Sequence, residues 1–291
     1  MQERHIDRKE YFEELSKTSE KYYYPYIKRF MSGNNAISNV VLSVLEIGCG
    51  EGGNLLAFAR RGWKTVGVDF SENKIVNGTK CFESLGYPIS NDITDLQEEG
   101  NISKKDKRVS LNVKTVHLIA SDIFNIQDFS YKFDLILVHD VIEHIFDKKT
   151  FLKNAYSFLK DSGLLFIGYP VWQMPFGGHQ QMSKSKFVSH CPFIHLLPQK
   201  LYRSLLKIVG EPSNKVKDFI DIKETGIGIE PMLKLVKNAD FKILDSKYYF
   251  INPHYEVKFH IHPRVLFPII SGIPYFRNIF TTSFHLLLKK K

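Results

Sequence analysis

The chain has 291 residues, of which 43% are apolar, 13% aromatic and 24% charged, a composition that can bury a sizeable core and excludes a disordered tail or a peptide-sized module. Its three cysteines, Cys49, Cys81 and Cys191, form no close pair, which argues against a disulfide framework or a cysteine zinc site and fits a cytoplasmic protein. The net charge of +9 is uneven: eighteen basic residues face eight acidic ones after Tyr169, against twenty-two and twenty-three before it, so an acidic partner would meet the C-terminal part.

The start, MQERHIDRKE, lacks the apolar core of a signal peptide, and no stretch approaches the ~20 apolar residues of a spanning helix. Residues 1–40 read as a helical lid, with one or two amphipathic helices over 1–30 and a cluster of Tyr22, Tyr23, Tyr24 and Tyr26. Those rings either pack the helix or cover a ligand.

Residues 41–170 alternate short apolar runs at 42–47, 65–68, 116–120, 135–138 and 164–168 with helix-like stretches at 54–61 and 151–159. That alternation predicts a doubly wound α/β fold around a mostly parallel sheet. The helix from 151 should stop at the glycine of FLKNAYSFLKDSG. Polar residues 87–113, with the run KKDKR, read as an insertion or mobile loop before the third strand.

Five prolines and several histidines break residues 171–228 and the position before them into a substrate-side insertion laid over the sheet edge. Residues 229–262 read as a helix at 229–239 and a strand pair at 241–250 and 254–262, which would complete a seven-stranded sheet. Residues 263–291 form a basic, apolar extension that either packs as helices or lies on an anionic membrane or lipid-linked substrate.

The chemistry is carried by VLEIGCGEGGN, a strand running into a glycine-rich turn and a helix. Gly48, Gly50 and Gly52 let the backbone bend and a ligand approach. Asp69 ends the second strand 21 residues after Gly48, where a carboxylate can accept from ribose hydroxyls. Gly48, Gly50 and Gly53 also satisfy the dinucleotide fingerprint, which leaves a nicotinamide cofactor open at this point.

Three further segments bear on the choice: Glu46 before the first glycine, HLIASDIFNI after the third strand, and FDLILVHDVIEHI at the fourth. With FLKNAYSFLKDSGLLFIGYP they resemble the ordered motifs of class I S-adenosylmethionine-dependent methyltransferases, over roughly residues 42–170. The resemblance implies a Rossmann-like fold, S-adenosylmethionine as cofactor and S-adenosylhomocysteine as product. It also implies roles: Gly48, Cys49, Gly50 and Gly52 around the methionine moiety, supported by Glu46; Asp69 on the ribose, with Phe70 flanking the adenine; Asp122 and the Ile123 backbone at the adenine amino group; and His139 near the methionine end.

Proton removal from a hydroxyl or amine acceptor points to His144 and His179, which follow the fourth and fifth strands. Gln180 and Gln181 beside His179 can orient an acceptor. Asp140, Glu143 and His144 at i, i+3 and i+4 would share a helix face; their spacing is similar to a segment of metal-assisted ubiquinone-pathway and small-RNA methyltransferases, although a metal-free helix start is the preferred reading. The expected acceptor is a small or medium molecule such as a sugar or a lipid-linked metabolite. A nucleic-acid acceptor and a non-catalytic binding protein are the alternatives.

Overall fold

The computed structural model describes residues 7–31, 41–96 and 115–291. From residue 97 onward the expected insertion, with its KKDKR run, lies outside the described residues.

The strands are β1 (Ser43–Ile47), β2 (Lys64–Asp69), β3 (Ile89–Ser90), β4 (Val116–Ala120), β5 (Phe133–His139), β6 (Leu159–Tyr169), β7 (Phe241–Ile251), β8 (Arg264–Val265) and β9 (Ser283–Lys290). They form one sheet in the order β3-β4-β2-β1-β5-β6-β9-β7-β8. The pairs from β3 to β6 are parallel, and β9 runs antiparallel between β6 and β7. The expected seven strands become nine because the two-residue strands β3 and β8 extend the edges.

Period-two alternation sends Leu45, Val66, Ile136 and Leu165 into one apolar layer, and Val44, Leu135, Leu137 and Phe166 into the layer on the opposite face. Helices cover both. Asp7 caps the helix Arg8–Thr18 by accepting from the Lys9 and Glu10 amides, at 2.9 and 3.0 Å. A single π-type turn, Ser19–Tyr23, joins it to the helix Tyr24–Met31. Beyond β6, three helices, Lys186–His190, Gln199–Ile208 and Ser213–Thr225, enclose a separate small core around Val188, Tyr202, Leu206 and Phe219.

Two expectations are corrected. Residues 254–262 are not the last strand: Asn252 accepts from the His254 amide at 2.9 Å and starts the helix His254–Phe259. The last strand is SFHLLLKK, from the segment read as a basic extension. Its first six residues are all buried because it lies between two other strands, and a strand covered on both faces shows no alternation.

The helix Lys148–Phe158 also ends before the expected glycine, and β6 begins at Leu159. Gly163 lies instead at the register shift between β5 and β6, where a Cβ would press on Leu159 and the Phe133 carbonyl, both 2.8 Å away. No helix among the described residues is long and apolar enough to cross a membrane.

Candidate functional site

The chain leaves β1 towards β2 on one side and later returns to β5 on the other, so the C-terminal ends of β1 and β5 flank a topological switch point, where crevices form in such sheets. After β1, the Gly48 and Cys49 amides both donate to the Val68 carbonyl, at 2.7 and 3.1 Å. Gly48 has φ +72°, and a Cβ there would overlap Val141 on the loop after β5. The turn therefore needs glycine for its dihedral and for the close approach. Asp69, 4% exposed, accepts from the Gly50 amide at 2.8 Å and the Ser71 amide at 2.9 Å. Its carboxylate ties the first turn to the second.

A cleft of about 1130 Å³ opens here. Of the expected cofactor residues, Gly48, Asp69, Phe70, Asp122 and Ile123 line it; Glu46, Cys49, Gly50, Gly52 and His139 do not. Phe70 is 81% exposed at the tip of β2. Asp122 commits one oxygen to the Phe124 amide at 3.0 Å, capping the short turn Ile123–Asn125. Gly52 closes the glycine turn by donating to the Cys49 carbonyl at 2.8 Å.

Glu46 lies buried beneath the turn. One oxygen accepts from Asn54 Nδ2 at 2.7 Å and the other has no hydrogen-bond partner among the described residues. Burial first, and Asp69 as a lesser cause, raise its carboxyl to about 8 despite that hydrogen bond. Burial likewise holds the Cys49 thiol well above its usual range, which removes thiolate reactivity.

His139 is buried beside Tyr23 rather than open to the cleft. The Tyr23 hydroxyl and His139 Nε2 are 2.7 Å apart, and His139 Nδ1 stands 3.4 Å from Asp140. The N-terminal helices are clamped to the glycine-rich segment by an Arg8–Glu51 ion pair and by Ser19, which donates to the Asn54 carbonyl at 2.8 Å. Nothing local in the sequence marks Arg8, Ser19 or Tyr23 for these contacts; each spans more than thirty residues.

At the far end of the cleft, the expected face of Asp140, Glu143 and His144 does not form. Asp140 adopts φ +54° and its amide donates to Gly168 at 2.9 Å, so only a single tight turn, Ile142–His144, follows. Tertiary folding instead brings His179 to His144, with ring centroids 5.2 Å apart. Glu143, His144 and His179 each offer a donor atom, all within 4.8 Å of one another. Glu143 is 3% exposed with neither oxygen hydrogen-bonded among the described residues. Burial, then the Asp140 charge, holds it well above the usual carboxylate range.

Burial and the neighbouring His179 push His144 down to about 4, while burial lowers His179. Both imidazoles are therefore neutral near pH 7. Gln180 turns inward and donates to the Pro175 carbonyl at 2.9 Å, away from the acceptor role expected of it. The insertion adds Met182, Lys215, Asp218 and Asp221 to the lining, which the sequence did not single out.

A family model described as a methyltransferase domain matches residues 4–205. The chain belongs to that methyltransferase family. It is 26% identical to the human mitochondrial ubiquinone biosynthesis O-methyltransferase over 126 residues, 43% of this chain and 28% of that protein. It is 24% identical to the Escherichia coli tRNA 5-carboxymethoxyuridine methyltransferase over 186 residues, 64% and 59% of the two chains. The match spans less than two thirds of the length of either relative.

Among solved structures, an S-adenosylmethionine-dependent methyltransferase from Clostridium acetobutylicum superposes with a TM-score of 0.51 at 14% identity, covering 96% of this chain and 92% of that one. The plantazolicin methyltransferase BamL, in complex with a triazolic desmethylPZN analog and SAH, gives 0.51 at 13% identity, covering 99% and 88%. At these identities the likeness to this methyltransferase-family chain is one of fold.

Proposed function

We propose that the chain transfers a methyl group from S-adenosylmethionine to an oxygen or nitrogen of a small or medium acceptor, leaving S-adenosylhomocysteine. The observation that carries this reading is the cleft at the switch point, where Gly48 gives backbone access, the fixed carboxylate of Asp69 lines one wall and Phe70 stands exposed. When bound, the cofactor supplies an activated methyl carbon on a sulfonium.

The residues of this chain divide the remaining work. Asp69 accepts hydrogen bonds from the ribose hydroxyls, Phe70 stacks on the adenine, and Asp122 with the Ile123 backbone meets the adenine amino group. Gly48 and Gly50 admit the methionine portion, and Glu46 supports the turn from below. His139, bonded to Tyr23, holds the N-terminal helices against the tip of β5. Residues 41–96 and 115–170 thus hold the cofactor, while the N-terminal helices of 8–31 and the insertion 171–228 enclose the acceptor. His144, neutral and on the cleft wall, accepts the acceptor's proton, and His179 orients it. The neutral pair performs this without a metal.

Calorimetric titration with S-adenosylhomocysteine tests the cofactor assignment: a saturable heat is expected, and its absence would remove the reading. Methyl incorporation from labelled cofactor into a panel of phenols, sugars, lipid-linked intermediates and total tRNA then distinguishes acceptor classes. Transfer confined to tRNA would overturn the small-molecule assignment.

A further inference from the structure

Away from the cleft, a second cavity of about 500 Å³ lies along the seam between the helix Arg8–Thr18 and the helix Glu72–Ser84. The lining positions recur at three and four, at 9, 12, 13, 16 and 17 on the first helix and at 77, 80, 81 and 84 on the second, so one face of each looks onto it. Both helices are fixed by close approach to the glycine-rich turn: a Cβ on Gly53 would lie 2.6 Å from the Phe12 carbonyl, and one on Gly78 2.5 Å from the Glu51 carbonyl. The turn therefore sets their positions, and the short side chains of Ser16, Cys81 and Ser84 leave the seam between them unfilled.

The lining has two characters. Phe12 and Leu56 are buried and Cys81 is half-buried, with Leu85 48% exposed beside them. Around this apolar part stand five cations, and Glu13 is the single acid among the described lining residues. Arg8 is paired with Glu51, and Lys17 stands 3.9 Å from Glu13. Lys9, Arg60 and Lys80 are exposed and have no ion-pair partner among the described residues.

Two neighbouring acids are already engaged. Glu20 accepts from Arg61 Nη1 and Nη2, at 2.8 and 2.5 Å, and Asp7 accepts from the Lys9 and Glu10 amides. Three uncompensated cations beside an apolar floor select a ligand that carries both complements, an apolar body and a negative head. A bare inorganic anion would leave the floor uncovered, and a two-fold contact with a second copy would set these cations against one another. The volume lies within the ~300–1,000 Å³ typical of small-molecule sites.

We propose that the seam between these helices is a second ligand site, for a small amphiphilic anion whose apolar body covers Phe12 and Leu56 and whose carboxylate or phosphate head is held by Lys9, Arg60 and Lys80. No residue lines both this cavity and the cleft, so the proposal stands apart from the methyl-transfer reading and fails separately from it.

Calorimetric titration of the full chain with decanoate, decyl phosphate, decanol and inorganic phosphate, each with and without S-adenosylhomocysteine, tests the proposal. One saturable site per chain is expected for decanoate or decyl phosphate, the tighter of the two identifying the head group, with affinity that weakens as salt rises and is unchanged by S-adenosylhomocysteine. Affinity should fall by roughly tenfold or more in the Lys9→Gln/Lys80→Gln double variant, and Ser84→Phe should block the cavity. All three positions are exposed, so both variants should keep the wild-type melting temperature. The proposal is overturned if neither charged decyl compound binds, if decanol or inorganic phosphate binds as well, if S-adenosylhomocysteine displaces the ligand, or if either variant binds like wild type.

Discussion

The Tyr23 hydroxyl lies 2.7 Å from Nε2 of His139, joining the N-terminal helical segment to the tip of β5 inside the core. Burial, with Asp140 as the next cause, keeps the phenol well above its usual range and so protonated; with the His139 proton on Nδ1, beside Asp140, the hydroxyl donates and Nε2 accepts. Tyr23→Phe leaves that nitrogen buried and unpaired, and unfolding stability in urea should fall by about 1–3 kcal/mol. A loss below about 0.5 kcal/mol, the size of a neutral surface change, would show that the contact contributes little.

Asp69 holds two backbone amides and one wall of the cleft. Asp69→Ala should weaken S-adenosylhomocysteine binding at least about tenfold, or 1.4 kcal/mol, while circular dichroism shows a folded chain. Unchanged affinity in calorimetry would take the ribose contact away from this carboxylate.

Glu46, raised to about 8, is largely protonated at neutral pH before cofactor arrives. Its neutral form favours the fold fully below the unfolded carboxyl value, and that contribution is lost as pH rises through about 8. In the proposed complex, the cofactor's cationic amino group above the turn would reverse the preference. Binding at pH 7 should therefore release a proton, detectable as a dependence of calorimetric heat on buffer ionisation enthalpy, and Glu46→Gln should abolish that dependence.

His144 titrates near 4 rather than at the ordinary 6.5. As a proton acceptor it should keep kcat/KM level as pH falls through 6.5, with loss only on approach to about 4. An acid limb centred at 6.5 would point to another base. Stability behaves differently: because the folded values of His144, His179 and His195 are depressed, their neutral forms favour the fold above 6.5, and this is lost as pH falls below it, through about 4 for His144 and His195. Substituting His144 or His179 with alanine should lower kcat more than cofactor affinity.

Chelation separates proton transfer by the histidine pair from metal assistance. Turnover should survive EDTA. Loss of turnover that added divalent ion restores, together with loss of the effect in Glu143→Gln, would make Glu143, His144 and His179 ligands instead.

How much of this was legible in the sequence follows from the range of the interactions involved. VLEIGCGEGGN, Asp69 and the strands β1, β2, β4, β5 and β6 announce themselves because a buried parallel strand, a glycine turn and a strand-tip carboxylate are local patterns, whereas β3 falls in the segment read as an insertion. The sequence by itself therefore determined the parallel part of the sheet, the side of it that carries the cleft, and the family. Only the tertiary structure decided that SFHLLLKK rather than HYEVKFHIH fills the gap beside β6, because which segment is buried on both faces depends on its neighbours. It likewise turned Asp140 out of a helical face and set His179 against His144, and Tyr23 under His139. Those pairs are separated by thirty-five to more than a hundred residues, and proximity at that range is created by packing alone.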